Sequence, residues 1–376
     1  AAILGVGVNA TSLLATKEYV NYSTRGKSEL TINPDRTEKE IVKGLSKDYI
    51  TEYSYGIPET FNLFIPRFMG GGNYENVGYE SNIYQFLNGK TDPRQAKQFA
   101  EYAPLYWGQQ PIVEAPAYIG AILVFLFLMG AFLIKGKIKN WLVGAVVFSI
   151  LLSWGKNLEF LTNFFIDYIP MYNKFRAVSS IQVIAELAIP LLGILGLKEF
   201  FSSSKSSEEK LNALKKSLYI IGGFALIFTL FGTSLFAFEG LRDESYNNLL
   251  PGLLDAIIAD RKAVFFSDSL RTLILVVLSA GILWLFLKEK LRLNTTIIVL
   301  GVLIMFDLVT VDRRYVNNDD FLSAREIDKP FVASAINKDI LKDQSYFRVA
   351  NFMVDPMNDG STSYFHKSIG GYHAAK

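Results

Sequence analysis

Residues 117–134 read AYIGAILVFLFLMGAFLI, an apolar run without a charged side chain. A run of about 18 such residues is long enough to cross the hydrocarbon core of a bilayer as a helix. The chain is 50% hydrophobic and its mean hydropathy is +0.24. The sequence therefore predicts an all-α polytopic membrane protein with about seven transmembrane helices. The other candidate spans are 1–15, 141–155, 178–197, 217–238, 270–287 and 294–311.

The basic residues divide the connections into two sets. Residues 135–140, 198–216 and 288–292 contain 11 Lys and Arg in 30 positions, whereas 156–176 and 237–271 contain 7 in 56 positions. Because basic loops stay on the cytoplasmic side, the first set should be cytoplasmic. A multi-pass protein of the cytoplasmic membrane follows, with its large loop and its C-terminal tail on the outer side.

Four regions follow from this topology. We expect the end of a transmembrane helix at 1–15, an outer aromatic-rich loop domain of helices and irregular structure at 16–115, a six-helix membrane bundle at 116–312, and the start of an outer soluble domain at 313–376. In the last of these, a helix near 329–341 and a strand near 345–352 predict a mixed α/β domain. The chain begins without Met, and we interpret it as a piece of a longer protein.

Smaller features are predicted within these regions. Residues 37–46 have the composition of a short helix, and Gly70 to Gly72 that of a turn. The amphipathic runs 158–170 and 249–266 are candidates to lie flat at the membrane surface.

Composition excludes several classes of site. The chain has no Cys and two His, which excludes thiol nucleophiles and Cys-ligated zinc and argues against a His-based metal site or triad in the membrane. The two histidines, His366 and His373, lie in a Gly-rich tail where metal binding is not the expected role. A net charge of +2 gives no reason to expect a nucleic-acid partner.

Two acidic residues lie inside predicted spans. Glu186 needs a partner, a proton or a water-filled cavity, because an isolated carboxylate in a membrane costs roughly 2.5–3.5 kcal/mol. Pro190 follows four residues later and removes a helical hydrogen bond, so a kink is expected there. Glu186 is therefore either a proton or substrate site or a hydrogen-bonded packing residue. Asp307 is expected to neutralise an Arg or to orient the outer end of its helix.

The outer side offers candidates for binding. Arg176, with Lys174 beside it, precedes a span at the outer surface and suits a lipid phosphate, although a headgroup anchor has the same composition. The loop domain places Glu18, Arg25, Glu59 and other charged residues among many aromatics. Carboxylates there suit a general base and aromatics suit stacking on sugars, while a membrane-interface belt or a domain core is the alternative.

Six stretches together resemble the YfhO-like family of bacterial membrane proteins, and they extend nearly from end to end of the chain. They are STRGKSELT (23–31), YSYGIPETFNLFIPRFMGGG (53–72), YWGQQPIVEAPAYIGA (106–121), YNKFRAVSSIQVIAELAIPLLGILGL (172–197), FDLVTVDRRYVN (306–317) and YFHKSIGGYHAAK (364–376).

This resemblance implies a membrane enzyme related to the class C glycosyltransferases. Such an enzyme takes a sugar from a polyprenyl-phosphate donor and transfers it to a surface glycan or polymer acceptor outside the cytoplasmic membrane. A carboxylate of the first outer loop commonly serves as the catalytic residue of that class. The site residues that we predict are Glu59 and Glu18 as catalytic acids, and Arg25, Arg67, Tyr106, Trp107, Gln110, Lys174 and Arg176 as substrate-binding residues.

Two further points remain open at this stage. A divalent cation is one candidate to stabilise the leaving phosphate, beside the cationic side chains. A transporter or flippase with Glu186 as the coupling site, and a non-enzymatic assembly protein, are the alternative functions. Inverted repeats with broken helices would favour the transporter. A cleft that joins the aromatic loop to the bilayer would argue against the assembly protein.

Overall fold

The computed structural model describes residues 2–23, 25–26, 32, 35–38 and 44–372. Within these ranges the regular structure is helical, and paired extended backbone is limited to isolated bridges. The α-helices in chain order are α1 (Ala2–Val8), α2 (Ala10–Val20), α3 (Lys47–Ile50), α4 (Asn82–Leu87), α5 (Pro93–Glu101), α6 (Ala121–Leu133), α7 (Lys137–Ser153), α8 (Glu159–Tyr168), α9 (Val183–Phe201), α10 (Ser207–Ser217), α11 (Gly223–Leu235), α12 (Asp243–Leu249), α13 (Leu253–Leu287), α14 (Leu293–Tyr315), α15 (Ala324–Asp328), α16 (Ala335–Ile340) and α17 (Ser361–Phe365).

The chain forms two compact units. The smaller unit contains residues 1–46, 171–175 and 316–376, and the larger contains 47–170 and 176–315. Short helical turns complete both units. They are the 3₁₀ helices Pro58–Leu63, Gly155–Leu158, Tyr172–Lys174, Val178–Gln182 and Asn318–Asp320, and the π-helical turn Leu218–Gly222 that joins α10 to α11.

Four continuous helices of the described chain are long and apolar enough to cross a membrane. They are Val178–Phe201, Ser207–Leu235, Leu253–Leu287 and Leu293–Tyr315. A fifth span results if Lys137–Ser153 and Gly155–Tyr168, which meet at 109°, count as one broken span. The fold is thus an all-helical one typical of a membrane protein, with four or five candidate spans. The count of seven stays a prediction.

The run 117–134 that predicts a span forms the shorter helix α6, of 13 residues. At 1.5 Å per residue it extends about 20 Å, less than the hydrocarbon core of a bilayer. Its side chains are largely buried in protein, and Gly130 meets Gly196 of α9 at a close helix crossing. Small residues permit such an approach of two helix backbones. The high hydropathy of α6 therefore reflects a central packing position.

The run 249–266 does not form the separate surface helix that its amphipathic pattern predicts. Most of it belongs to α13, a single helix of 35 residues that is about 52 Å long. Its N-terminal residues Leu253 and Ile257 pack against Ile83 and Leu87 of α4. In the structure we use the name loop domain for residues 47–120. Apolar residues on one face of the N-terminal part of α13 pack against this loop domain, and this contact accounts for the amphipathic pattern. By contrast, α8 is a separate helix that bends away from α7, and its position at a membrane surface stays a prediction.

The helix ends beside the basic connections pack together. Phe200 and Phe201 of α9 contact Phe286 of α13, and Lys216 lies over the ring of Phe132. The helix α9 continues through Pro190 as one element, and the kink expected there stays a prediction. Residues next to all three basic connections are thereby placed at one end of the bundle.

The C-terminal region differs from the mixed α/β structure that we predict. The helix expected near 329–341 is limited to α16, and the strand expected near 345–352 is reduced to one bridge between Val349 and Ser368. The run SYFRVANF therefore has the composition of a strand but gains no second partner in the described part of the chain. Residues 39–43 of the helix predicted at 37–46 lie outside the described residues, and 44–46 are not helical.

Candidate functional site

The segment 53–63 is fixed on the end of α7 by hydrogen bonds at several points. The amide of Tyr55 donates to the Ser153 carbonyl at 2.8 Å, and the Asn157 side chain donates to the Tyr55 carbonyl at 2.9 Å. The Trp154 indole donates to the Thr60 hydroxyl at 2.9 Å. The Pro at the start of the 3₁₀ helix Pro58–Leu63 favours the turn that follows. Glu59 is therefore held by a rigid element.

Glu59 is fully buried, and neutral groups donate its hydrogen bonds. The Tyr106 hydroxyl donates to Oε1 at 2.5 Å, and the Gly56 amide donates to Oε2 at 2.5 Å. The side-chain Nε2 of Gln110 lies 3.5 Å from Oε1 of Glu59. The backbone N–H of Gln110 donates to the Tyr106 hydroxyl at 2.9 Å. The predicted residues Glu59, Tyr106 and Gln110 thus form one hydrogen-bonded group.

Two glycines make room for this group. A Cβ on Gly108 would overlap the Tyr106 hydroxyl and the Glu59 carboxylate, and a Cβ on Gly56 would lie within 2.9 Å of the same carboxylate. In the Tyr-Trp-Gly sequence at 106–108, the donor Tyr106 and the glycine that leaves space for its hydroxyl are therefore two residues apart. Between these two segments, Gly71 has a φ of +92° and the Gly72 amide donates to the Glu75 carboxylate at 2.7 Å. These features account for the turn predicted at Gly70 to Gly72.

Glu59 belongs to the wall of a cavity of about 440 Å³, although its side chain has no accessible surface. The loop domain contributes Glu59, Tyr55, Gln110 and Glu114 to its wall, and the start of the span Val178–Phe201 contributes Ser179, Ser180, Gln182, Val183 and Glu186. The same face of this span exposes Val183 and Leu187, which are 62% and 73% accessible. The cavity therefore joins the aromatic loop to an apolar helix face that suits contact with lipid.

The tyrosine beside Glu59 lacks a hydrogen bond. Tyr55 is buried, and its hydroxyl makes no hydrogen bond, although the Asn62 side chain lies close to it. Burial, and then the charge of Glu59, raises the pKa of the Tyr55 phenol well above its ordinary value. Buried hydroxyls are usually paired, so an unpaired one in a cavity wall is a candidate ligand contact.

The electrostatics of the cavity are acidic. Burial raises the pKa of the Glu59 carboxyl above its ordinary value, although the hydrogen bonds from Tyr106 and Gly56 act in the opposite direction. Among the described residues that line the cavity, three are glutamates and none is Lys or Arg. A carboxyl with a raised pKa is suited to accept a proton near neutral pH. The cavity favours a neutral hydroxyl compound over a phosphate.

Arg176 lies just before the cavity wall in sequence. It forms an ion pair with Glu52 at 3.5 Å, and its guanidinium is over the rings of Tyr49 at 4.9 Å and Tyr53 at 5.7 Å. The side chain remains 42% accessible. Ala177 next to it has a φ of +64°, an unusual conformation for a residue with a side chain. The predicted cation is thus accessible and stacked on aromatic rings.

Two other predicted residues, Arg67 and Asp307, stabilise the packing of the larger unit. Arg67 and Arg314 each donate two hydrogen bonds to the buried carboxylate of Asp268, at 2.8 to 3.2 Å. Asp307 forms an ion pair with Arg271 at 2.9 Å and accepts from the amide of Ile122, at the start of α6. Asp307 therefore has the structural role that its sequence position predicts, and Arg67 is engaged in packing rather than lining the cavity.

The remaining predicted residues lie elsewhere. Arg25 and Lys174 belong to the smaller unit, where each donates to the carbonyl of the other at 2.9 and 3.0 Å. Glu18 is exposed on α2 of the same unit. In the larger unit, Trp107 packs on Phe236 and Phe238, and its indole N–H is buried without a partner. Trp107 contributes to the core beneath the site.

A divalent cation would need a group of acidic or histidine side chains as ligands. Within the described ranges, no three His, Cys, Asp or Glu side chains are grouped as ligands of a metal ion. The cavity glutamates thus do not form a ligand set, and His366 instead contacts the Asn337 side chain at 2.9 Å. His373 lies outside the described residues. The described residues therefore do not form a site for a resident metal ion.

Sequence reasoning missed several residues of the cavity wall. Tyr55, Asn62 and Gln182 have no motif of their own, and their role follows only from the contact between the loop domain and the span. The ion pair of Arg261 with Asp243, both buried, was also missed. The sequence signal for this ion pair was the presence of charged residues at 242, 243, 261 and 262, on either side of or within the run predicted to lie at the membrane surface.

No family model, no curated protein and no solved structure matches the chain.

Proposed function

We propose that this protein is a membrane-embedded glycosyltransferase of class C type. It transfers a sugar from a polyprenyl-phosphate donor to a surface glycan or polymer on the outer side of the cytoplasmic membrane. The observation that carries the proposal is the cavity whose wall combines buried Glu59 with the start of a span, where Val183 in the wall and Leu187 next to it are exposed apolar side chains. A lipid-linked donor needs such a junction, because its sugar reacts in water while its chain stays in the bilayer.

In the proposed reaction Glu59 is the general base. It takes the proton of the acceptor hydroxyl, the acceptor oxygen forms a bond to the anomeric carbon, and the bond from that carbon to the phosphate oxygen breaks. The polyprenyl phosphate leaves with the bonding electron pair. Burial raises the pKa of Glu59, which favours proton uptake. Tyr55 and Gln110 are placed in the same wall to hydrogen-bond sugar hydroxyls.

The donor phosphate is assigned to the mouth of the cavity. No cation is found among the described lining residues, and three carboxylates there would repel a phosphate. Arg176 lies three residues before the lining residue Ser179 and is accessible. Its guanidinium can bind a phosphate through two parallel hydrogen bonds. This role requires the weak contact with Glu52 to open.

The cavity supports a transferase better than a transporter. A translocation path would continue through the bundle, but the lining from the span stops at Glu186, in the first turn of α9. The bend between α7 and α8 has no counterpart among the described spans, as inverted repeats would need. The cleft between loop and span also counts against a purely structural assembly protein. The proposal includes the seven spans and the outer placement of the loop domain.

The test is transfer of a radiolabelled sugar from polyprenyl phosphate by the full-length protein in vesicles. Glu59→Gln removes the base and should lower transfer by about 10²- to 10⁴-fold. Arg176→Ala should raise the KM for the donor with a smaller change in kcat. The matched controls are Glu80→Gln and Arg94→Ala, which change exposed residues outside the cavity. Wild-type transfer rates in both Glu59→Gln and Arg176→Ala would remove these residues from the mechanism.

A further inference from the structure

A second and larger cavity, of about 610 Å³, lies between the loop domain and residues 246–253. Aromatic rings line it on several sides, with Tyr74 and Tyr102 more than half accessible at its edge and Phe99 and Tyr246 deeper in. Ligand sites commonly combine such apolar walls with a few polar groups. Here the polar groups are the side chains of Gln95, Gln98 and Thr91 and the tyrosine hydroxyls. We refer to this cavity as the aromatic groove.

The aromatic groove is uncharged. Of the described residues that line it, none is Asp, Glu, Lys or Arg, whereas the cavity at Glu59 carries three glutamates. An anionic ligand would find no partner there, because a charge removed from water needs a compensating charge or several hydrogen bonds. Tyrosine faces and glutamine amides instead match a ligand that has apolar C–H faces and many neutral hydroxyl groups. Sugar rings have this chemistry.

A third cavity lies between the other two. It measures about 190 Å³ and shares Gln110 with the cavity at Glu59. It also shares Pro104 and Tyr246 with the aromatic groove. Its wall includes Tyr106, whose hydroxyl donates to Glu59. Three concave surfaces of the larger unit therefore lie next to one another in a row that begins beside the candidate base.

One of the two cations of the middle cavity is neutralised by a carboxylate, and the other is bonded to a backbone carbonyl. Arg261 is buried, and Asp243 neutralises it through hydrogen bonds at 2.7 and 2.8 Å. Arg242 donates to the Pro111 carbonyl at 3.0 Å. The middle cavity is therefore compatible with the same neutral ligand as the aromatic groove.

We propose that this row of cavities binds an extended neutral saccharide chain as the acceptor, with its reacting end at Glu59 and its following units on the aromatic groove. This proposal rests on the proposed function, because it names the class of acceptor that reacts at Glu59. Binding to the aromatic groove depends on Tyr102 and Tyr246 and not on the charge of Glu59. The two ideas can therefore fail separately.

The experiment measures binding by calorimetry with the full-length protein in lipid nanodiscs. The probes are dimers and hexamers of β-1,4-linked glucose, of α-1,4-linked glucose and of β-1,4-linked N-acetylglucosamine, and a sulfated heparin hexamer as an anionic comparison. We expect at least one neutral hexamer to bind more tightly than its dimer and more tightly than the anionic hexamer. Tyr102→Ala should weaken its binding about 2- to 10-fold. Tyr79→Ala, which changes an exposed tyrosine outside the row, should not.

A second variant tests the continuity of the row. Leu241 is exposed in the wall of the middle cavity, so Leu241→Trp should fill that cavity without disturbing the core. We expect it to remove the advantage of the hexamer over the dimer.

Equal binding of hexamers and dimers by the wild type, preference for the sulfated hexamer, or no binding of any neutral probe would overturn the proposal. Hexamer binding by a wild-type protein that transfers no sugar from the lipid donor would refute the proposed function alone.

Discussion

Asp268 in the helix bundle accepts hydrogen bonds from two arginines, whereas Glu59 in the loop domain accepts them from a tyrosine, a backbone amide and a glutamine. Both carboxylates are buried. Asp243 and Asp307 follow the pattern of Asp268, since each pairs with an arginine. These three buried aspartates are thus balanced by opposite charges, whereas among the described residues buried Asp260 accepts only from the Asn82 side chain and the backbone amides of Asn82 and Ile83 at the start of α4. Glu59 lacks such a partner and faces a cavity, which is typical of a residue retained for chemistry.

The largest expected effect concerns the balanced pairs. Arg261 is 1% accessible and bonds to Asp243, to the Phe238 carbonyl and to three backbone carbonyls of the loop domain. Arg261→Met leaves Asp243 buried without its cation and should destabilise the protein by about 3–5 kcal/mol. The measurement is thermal unfolding in detergent micelles. Arg242→Met, which changes an exposed arginine nearby, is the control.

The comparison predicts a specific rescue of that variant. The double variant Arg261→Met with Asp243→Leu removes both charges and should recover part of the lost stability, because a buried ion pair replaced by apolar residues is often nearly neutral. A double variant as unstable as Arg261→Met would show that the carbonyl contacts of Arg261, and not its charge, hold the loop domain.

The next effect concerns the space around Glu59. Gly108→Ala places a methyl group where the Tyr106 hydroxyl and the Glu59 carboxylate meet. Overpacking of this kind should cost about 1–3 kcal/mol of stability and should separate the two side chains. Thermal unfolding and the transfer assay test both consequences. Gly144→Ala adds the same methyl group where no atom lies within 4 Å, and it should leave both quantities nearly unchanged.

Sequence reasoning found the central group of the site and missed its surroundings, for a physical reason. Glu59 and Tyr106 lie in motifs with turn-forming glycines, and local conformation explains why they are there. Arg67 and Asp268 are 201 residues apart, and only the packed fold brings them together. Arg67 therefore resembled a substrate ligand in the sequence, although it belongs to a balanced pair.

The sequence predicted where the apolar helices lie but not what surrounds each of them. Hydropathy located every long apolar helix, because a span and a buried core helix have the same composition. It could not separate them, and α6 is the example: its 13 residues are mostly enclosed by other helices. The amphipathic run 249–266 was misjudged because the loop domain, rather than a membrane surface, covers the apolar face of α13.

The pH dependence of stability sharpens the contrast between the two kinds of carboxylate. Burial raises the pKa of Glu59 in the folded protein above the ordinary value of 4.5. A raised pKa means that the folded state binds the proton more tightly, so Glu59 contributes stability below pH 4.5 and loses it as the pH rises through the raised pKa. Glu59→Gln should therefore flatten the fall in stability between pH 4.5 and neutrality. Unfolding temperatures measured at several pH values test this.

A matched change separates Glu59 from a second buried glutamate. Burial also raises the pKa of Glu75, but Arg67 and Arg314 lie near enough to oppose the shift. Glu75→Gln should therefore change the pH profile less than Glu59→Gln. An equal or larger change in Glu75→Gln would remove the distinction between the carboxylate of the cavity and those held near arginines.

The smallest effect on stability is expected at Tyr55, and it is the most informative about function. Its buried hydroxyl has no hydrogen bond, so Tyr55→Phe removes a group that already bears the cost of lost hydration. Stability should stay equal or rise by up to about 1 kcal/mol, while the KM for the acceptor increases. Tyr106→Phe removes one hydroxyl in the same way but deprives Glu59 of its donor, and it should cost about 1.5–3 kcal/mol. If Tyr55→Phe destabilises the protein as much as Tyr106→Phe, the Tyr55 hydroxyl serves the fold. If it is neutral for stability and harmful for acceptor binding, the cavity wall has kept a polar group that only a ligand satisfies.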